Sequence, residues 1–157
     1  MSVAGELVIR RDDLATTTAA VLIAALNAEL LGQYPEPGAT HFRLDPEEVG
    51  QGRGAFFVAY AGDRPVGCGA IRRIDSGTAE IKRMYVTPSV RGRGVGHRLL
   101  IELEAEARRL GVTRLVLETG ERADEAMTLY TRAGFVRIPC FGEYINSPLS
   151  LCMAKDL

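Results

Sequence analysis

The segment RGRGVG, Arg91 to Gly96, constrains this chain more than any other stretch. It follows a β-like run ending at Val86 and a Thr87-Pro88-Ser89 turn, and it opens a segment with helical periodicity. A strand feeding a helix through such a turn gathers free backbone N–H groups at the helix N-terminus, which makes an anion site. Gly92, Gly94 and Gly96 lack the Cβ atoms that would hold a phosphate away from the backbone, while Arg91 and Arg93 add positive charge. One charge at a helix N-terminus gains only ~0.3–1 kcal/mol from the dipole, so several aligned N–H donors must act together. The turn alone is also compatible with a glycine-rich connection that binds nothing. No Gly-Lys-Ser/Thr of a P-loop is present, and the glycine spacing and late position do not fit a dinucleotide-binding GxGxxG.

The flanking pattern places the turn in an α/β (α+β) chain. From Gly94 to Leu110, Val95, Leu99, Leu100, Leu103 and Ala107 recur at helical spacing, and Gly111 stands where a left-handed C-cap belongs. Before the turn, Ala55 to Ala61, Pro65 to Arg73 and Thr78 to Val86 read as an antiparallel meander with glycine-containing turns. Leu7 to Arg10 reads as a strand. A helix follows, with Asp12 or Asp13 as cap and Leu14, Val21, Leu22, Ala25 and Leu26 on one stripe, ending near Gly32. The proline-rich stretch Gln33 to Leu44 is a loop, and Pro46 to Val49 a short helix. After the main helix come a strand at Arg114 to Glu118, a helix at Asp124 to Ala133, and strands at Phe135 to Ile138 and Leu149 to Ala154, the last two separated by the loop Pro139 to Pro148. The expected architecture is a mixed, mostly antiparallel sheet of six to seven strands flanked by helices.

With 157 residues, 46% of them hydrophobic, the chain has material for one core and is read as one domain, 1–157. A formal charge of -1 gives no net field for nucleic acid or an anionic membrane, so neither is an expected partner. Cys68, Cys140 and Cys152 form an odd set without a CxxC pair, which fits neither a disulfide framework nor a zinc site, and no metal is expected. The apolar run Ala19 to Leu26 is too short to span a bilayer, and Met1 to Leu7 lacks the features of a signal peptide. A cytoplasmic location is the expectation.

At EIKRMYVTPSVRGRGVG the chain resembles the GNAT superfamily of acyl-CoA-dependent N-acetyltransferases, whose signature Arg/Gln-x-x-Gly-x-Gly/Ala is matched by Arg91, Gly94 and Gly96. The resemblance continues through AMTLYTRAGF and covers roughly Ala55 to Ile138; the first 50 residues match only as a generic strand and helix. It implies acetyl-CoA as cofactor. It further implies a bulge that splays Met84, Tyr85 and Val86 from the strand at Arg114 to Glu118. Backbone groups of Met84 and Val86 would pair with the pantetheine arm, and N–H groups from Arg91, Gly92, Arg93, Gly94, Val95 and Gly96 would hold the pyrophosphate. A donor near Tyr85 or Val86 would face the oxyanion. Ala126 and Tyr130 complete the implied cofactor surface; His97, just after the turn, is a candidate local donor to the cofactor, with a solvent-facing role as the alternative. Ala123 stands where the family often has an asparagine on the pantetheine, a departure for which Arg122 or Asp124 would have to substitute.

Acetyl transfer to an amine needs a neutral nucleophile, an oxyanion donor and an acid for the departing thiolate. The resemblance makes Tyr130 the acid, although its apolar helix face equally suits a core tyrosine. Glu80 and Glu118 are the candidate bases, Glu80 ranked slightly ahead, against the alternative of a strand carboxylate paired with Arg72 or Arg83. Cys140 has no nearby histidine and carboxylate to activate it, so direct transfer in a ternary complex is favoured over an acyl-enzyme. Acceptor residues are sought in Glu29 to Thr40 and Pro139 to Pro148, which offer Glu29, Tyr34, Glu143 and Tyr144, with Glu118 beside them. That mixture suits a primary amine of a small molecule, with a protein or peptide amine, or a non-catalytic acyl-CoA sensor, as alternatives. Dimerisation is common in the family, but no exposed apolar stripe in this sequence establishes it.

Overall fold

The run GAFFVAYA can be a strand only if both of its faces are covered, because Phe56, Phe57 and Val58 would otherwise leave one large side chain in water. The computed structural model, which describes residues 7–38 and 42–157, covers both. Strands β1 (Leu7–Asp12), β2 (Gly54–Ala61), β3 (Arg64–Arg73), β4 (Thr78–Val86), β5 (Arg114–Gly120), β6 (Val136–Ile138) and β7 (Ser150–Asp156) form one sheet in the order β1-β2-β3-β4-β5-β7-β6. All neighbours run antiparallel except β4 and β5. Helix α2 (Val95–Arg109) is the crossover between those two parallel strands. The expected mixed, mostly antiparallel sheet is therefore the one observed, at seven strands.

The two faces carry separate cores. Leu99, Leu100, Leu103 and Ala107 of α2 pack with Phe57, Ile71, Ile81 and Leu117 on one side, joined by Tyr130 of α3 (Asp124–Arg132). On the other side, Ala19, Leu22 and Leu26 of α1 (Thr17–Gln33) meet Phe56, Val58, Cys68, Ala70 and Tyr85. Two local expectations need correction. The cap of α1 is Thr16, whose Oγ1 accepts from the Ala19 N–H at 3.1 Å; Asp13 instead accepts from Ala15 N–H in the turn before it. Val21, read as part of the apolar stripe, points outward and is 61% exposed, because the packed stripe runs through Ala19, Leu22 and Leu26.

The feature that shapes the site is in β4. Its register with β3 slips between Cys68 paired to Tyr85 and Ala70 paired to Lys82, so Arg83 and Met84 together oppose Gly69. Arg83 takes a φ of 59°, in the left-handed region. The missing Cβ of Gly69 leaves room for the Met84 side chain, since a Cβ there would lie 2.6 Å from Met84 Sδ and would require that side chain to move. Pairing of β4 with β5 reaches only Ile81 opposite Leu117; beyond it the strands part.

Candidate active site

The gap between the parted strands opens into a cavity of about 1310 Å³. This exceeds the roughly 300–1,000 Å³ of pockets for compact ligands and suits a long one. Its walls include Met84, Tyr85 and Val86 of β4, Arg91, Gly92 and Gly94 to His97 of the turn, Glu118 to Gly120 of β5, and Ala123, Ala126 and Tyr130 at α3; Arg93 is outside the lining.

The turn meets the requirements of an anion cradle. Gly94 is the N-cap of α2 with a φ of 84°, and Gly92 has a φ of 79°; a Cβ on either would meet nothing within 4 Å. The first bond back into α2 runs from Arg98 N–H to Gly94 carbonyl, so the N–H groups of Val95, Gly96 and His97 have no backbone acceptor among the described residues. Gly96 serves a different purpose: its missing Cβ lets Leu129 of α3 approach to 3.0 Å of that position. The Arg91 side chain does not point into the cradle. Its Nε donates to the Val86 carbonyl at 2.9 Å and its Nη2 to both oxygens of Glu29 at 2.7 and 2.9 Å, while its guanidinium lies 5.8 Å over the Tyr85 ring. Glu29, expected at the acceptor, is thus the tie between α1 and the turn.

The two candidate bases have different surroundings. Glu80 is fully buried and does not line the cavity; Arg72 Nε donates to Oε1 at 2.9 Å and the Tyr144 hydroxyl to Oε2 at 2.5 Å. Arg72 also bridges to Glu48 at 3.0 Å. Both oxygens are engaged, and the carboxylate holds the segment before β7 onto the sheet. Glu80→Ala would leave the Tyr144 hydroxyl without its acceptor and Arg72 with Glu48 alone, and we expect it to cost about 2 kcal/mol of stability, readable as a lowered Tm. Glu118 does line the cavity. Ser150 donates to its Oε2 at 2.5 Å, and Oε1 has no hydrogen-bond partner among the described residues. Burial, and then the negative charges of Glu80 and Glu143, push its pKa above the ordinary value, while the Ser150 bond and Lys82 oppose that rise.

Tyr130 packs edge-on against Phe135 with ring centroids 5.8 Å apart, and it lines the same cavity. Burial pushes its phenol pKa up, and the Glu118 charge adds to this, so the hydroxyl stays protonated at neutral pH. It makes no hydrogen bond to a described residue.

The acceptor-side residues are mostly walls. Tyr34 is buried and its hydroxyl accepts from Arg122 N–H at 2.6 Å. It lies against Gly120, where a Cβ would come 2.0 Å from the Tyr34 hydroxyl. The Arg122 side chain reaches the Gln33 carbonyl and Glu36, turned towards the end of α1. Ala123 is the N-cap of α3 and provides no side-chain cap. Tyr144 lines the cavity and makes edge contacts with Phe42 at 4.7 Å and Phe141 at 5.3 Å. Glu143 stands outside the lining, 3.6 Å from Lys82. His97 is exposed at the cavity rim, and His41, given no role in the sequence, lies outside the described residues.

Lys82, Phe42, Thr119 and Ser150 were missed. Lys82 is 6% exposed, with its ammonium on the Arg43 carbonyl and burial lowering its pKa. A lysine on the same strand face as Glu80, two residues on, was the available signal. Ser150 carried none, since its value comes from standing across the sheet beside Glu118. Cys140 is outside the large cavity.

Comparison with known proteins agrees with this geometry. Residues 21–135 match the family model of the Acetyltransferase (GNAT) family. The IAA acetyltransferase of Azospirillum brasilense is 39% identical over 137 residues, covering 87% of this chain and 88% of that protein. Among solved structures, a Klebsiella pneumoniae protein assigned to the acyl-CoA N-acyltransferases superposes with a TM-score of 0.81 at 33% identity, over 96% of this chain and 97% of that one. A GNAT family acetyltransferase from Elizabethkingia anophelis with acetyl-CoA bound shares the fold, with a TM-score of 0.69 at 20% identity over 97% and 99% of the two chains. Parted strands, orphaned N–H groups and these likenesses together place the chain in the GNAT family of acetyltransferases.

Proposed function

We propose that this protein moves the acetyl group of acetyl-CoA to the primary amine of a small molecule, directly, within a ternary complex. The observation that carries the reading is one cavity shared by the anion cradle, the β4–β5 gap, Glu118 and Tyr130. The N–H groups of Val95, Gly96 and His97, with the open faces of Gly92 and Gly94, suit the pyrophosphate. The gap beside Met84 and Val86 suits the pantetheine arm, held as an added strand would be. When bound, acetyl-CoA supplies the activated thioester.

Glu118 takes the proton of the incoming amine at Oε1, directly or through water, while Ser150 holds Oε2. Its raised pKa makes its carboxylate a stronger base than that of an exposed glutamate. Tyr130 donates its hydroxyl proton to the departing sulfur as the new C–N bond forms and the C–S bond breaks. Tyr34, Phe42 and Tyr144 close the acceptor end with rings, which favours a small amine over a protein tail.

The cradle is tested by Gly94→Val. The substitution forces a β-branched residue to a φ of 84° and puts methyl groups into the open face, so Kd for acetyl-CoA by calorimetry should rise about tenfold or more. The reaction is tested with a panel of amino acids, polyamines, amine antibiotics and an N-terminal peptide, following the acetylated product by mass. Acetylation of a small amine is the expected result. Turnover confined to the peptide would move the acceptor to protein, and acetyl-CoA binding with no product for any amine would make the chain a sensor.

A further inference from the structure

Two thiols that the acetyl-transfer reading does not use stand together beside the site. Cys140 Sγ and Cys152 Sγ are 2.9 Å apart across 12 residues of chain. Cys140 follows β6 and opens the segment that carries Tyr144, while Cys152 lies in β7 directly opposite Glu118 of β5. The Cys140 thiol also approaches the Ser150 carbonyl at 3.6 Å. Both cysteines line a second cavity of about 420 Å³, shared with Arg137 and Pro139 and separate from the large one.

We propose that Cys140 and Cys152 are a peroxide-oxidised dithiol, and that their disulfide, by tying the acceptor segment to β7, slows transfer. The two cysteines have unequal access. Cys140 is half-buried and faces the small cavity, whereas Cys152 is 1% exposed. Burial pushes the Cys152 thiol up to about 12, which makes it a poor first nucleophile. Cys140 therefore reacts first: its sulfur attacks one oxygen of hydrogen peroxide, the S–O bond forms as the O–O bond breaks, and the products are the sulfenic acid and one water. Cys152 sulfur then displaces the hydroxyl from Cys140 sulfur. The S–S bond forms, the S–O bond breaks, and the hydroxyl leaves as water with the Cys152 proton. Two electrons pass from the two thiols to one peroxide.

Closing the sulfurs from contact to a bond of about 2.0 Å draws the start of the acceptor segment against β7. Three groups of the site feel that movement: Tyr144, Ser150 on Glu118 Oε2, and Glu118 itself. Cys68 is an internal control, since it is fully buried and its thiol donates to the Arg83 carbonyl at 3.2 Å, with neither other cysteine among its contacts.

The bridge is read by mass, independently of activity; only its effect on turnover rests on the acetyl-transfer reading. After hydrogen peroxide, the intact protein should lose about 2 Da. Peptide mapping should place the bridge between Cys140 and Cys152, and Cys68 should remain alkylatable after unfolding. Acetylated product should form about tenfold more slowly, with Kd for acetyl-CoA unchanged and full recovery in dithiothreitol. Cys140→Ser, away from the large cavity, should turn over normally when reduced and keep its rate after peroxide. The proposal is overturned if peroxide leaves both thiols alkylatable, if Cys140 proceeds to sulfinic acid with no bridge, or if the bridged protein turns over as fast as the reduced one. A reduced protein that binds acetyl-CoA but acetylates nothing would fail the transfer reading, and with it the claimed effect on transfer, while the mass change would still decide whether the dithiol forms.

Discussion

Replacing Glu118 with glutamine is expected to lower kcat/KM for the acceptor by about a hundredfold or more, within the range for removal of a positioned general base. The amide keeps the shape and can still accept from Ser150 at its oxygen, so packing is preserved while the proton acceptor is lost. The pH profile distinguishes this from a binding defect. In the parent protein the reacting form is the carboxylate, so activity rises with pH as Glu118 ionises. Because burial and neighbouring acids raise its pKa, that limb lies above the ordinary glutamate range. In the variant the limb disappears. An unchanged profile and rate would remove Glu118 from proton transfer. Glu80→Gln is the contrasting case. It should retain the limb, moved towards lower pH because the Glu80 charge no longer raises the Glu118 pKa, and should lose stability, since both Glu80 oxygens are committed to Arg72 and Tyr144.

Tyr130→Phe should lower kcat by about a hundredfold with little change in Kd for acetyl-CoA. Only an oxygen is removed. The ring keeps its edge contact with Phe135, and no hydrogen bond to a described residue is lost, so a stability effect is not a sufficient explanation of a slow variant. The measurement is single-turnover rate against calorimetric Kd. Equal losses in both would reassign the hydroxyl to binding, and full turnover would return Tyr130 to the core. Leaving-group ability separates the two roles further. A variant lacking its acid should suffer most with a poor leaving group, so an acyl donor whose thiol has a lower pKa than coenzyme A should recover part of the rate.

How much was legible in the sequence follows from the range of the forces involved. The Arg91 to Gly96 turn and α2 are written locally: positive φ calls for glycine, and a helix face repeats every three to four residues. The hairpins of the meander are written in their turns. The cap of α1 was misplaced by a few residues because Asp12, Asp13 and Thr16 are all competent acceptors, and only the final chain path decides which one meets a free N–H. The Arg72 partner of Glu80 was legible as an alternative, because the two stand opposite each other in the β3–β4 hairpin. The other partners were not: Glu80 also meets Tyr144 from a distant segment, while Glu118 meets Ser150 and open cavity. Those contacts are set by packing between elements far apart in sequence. The bulge was reached through family resemblance, since nothing local to Arg83 announces a left-handed residue; the room for Met84 comes from Gly69 on the neighbouring strand.

The parting of β4 from β5 after Ile81 divides what selection can change. If the donor is gripped by main-chain N–H and C=O groups along that edge, its recognition depends on the path of the chain and hardly on which side chains project from it. The residues that project there beside the base Glu118, Lys82 and Tyr85 on one strand and Thr119 on the other, are then free to be exchanged in descent with the donor site intact. A lineage built on this scaffold can change its amine by point substitution and keep its coenzyme throughout.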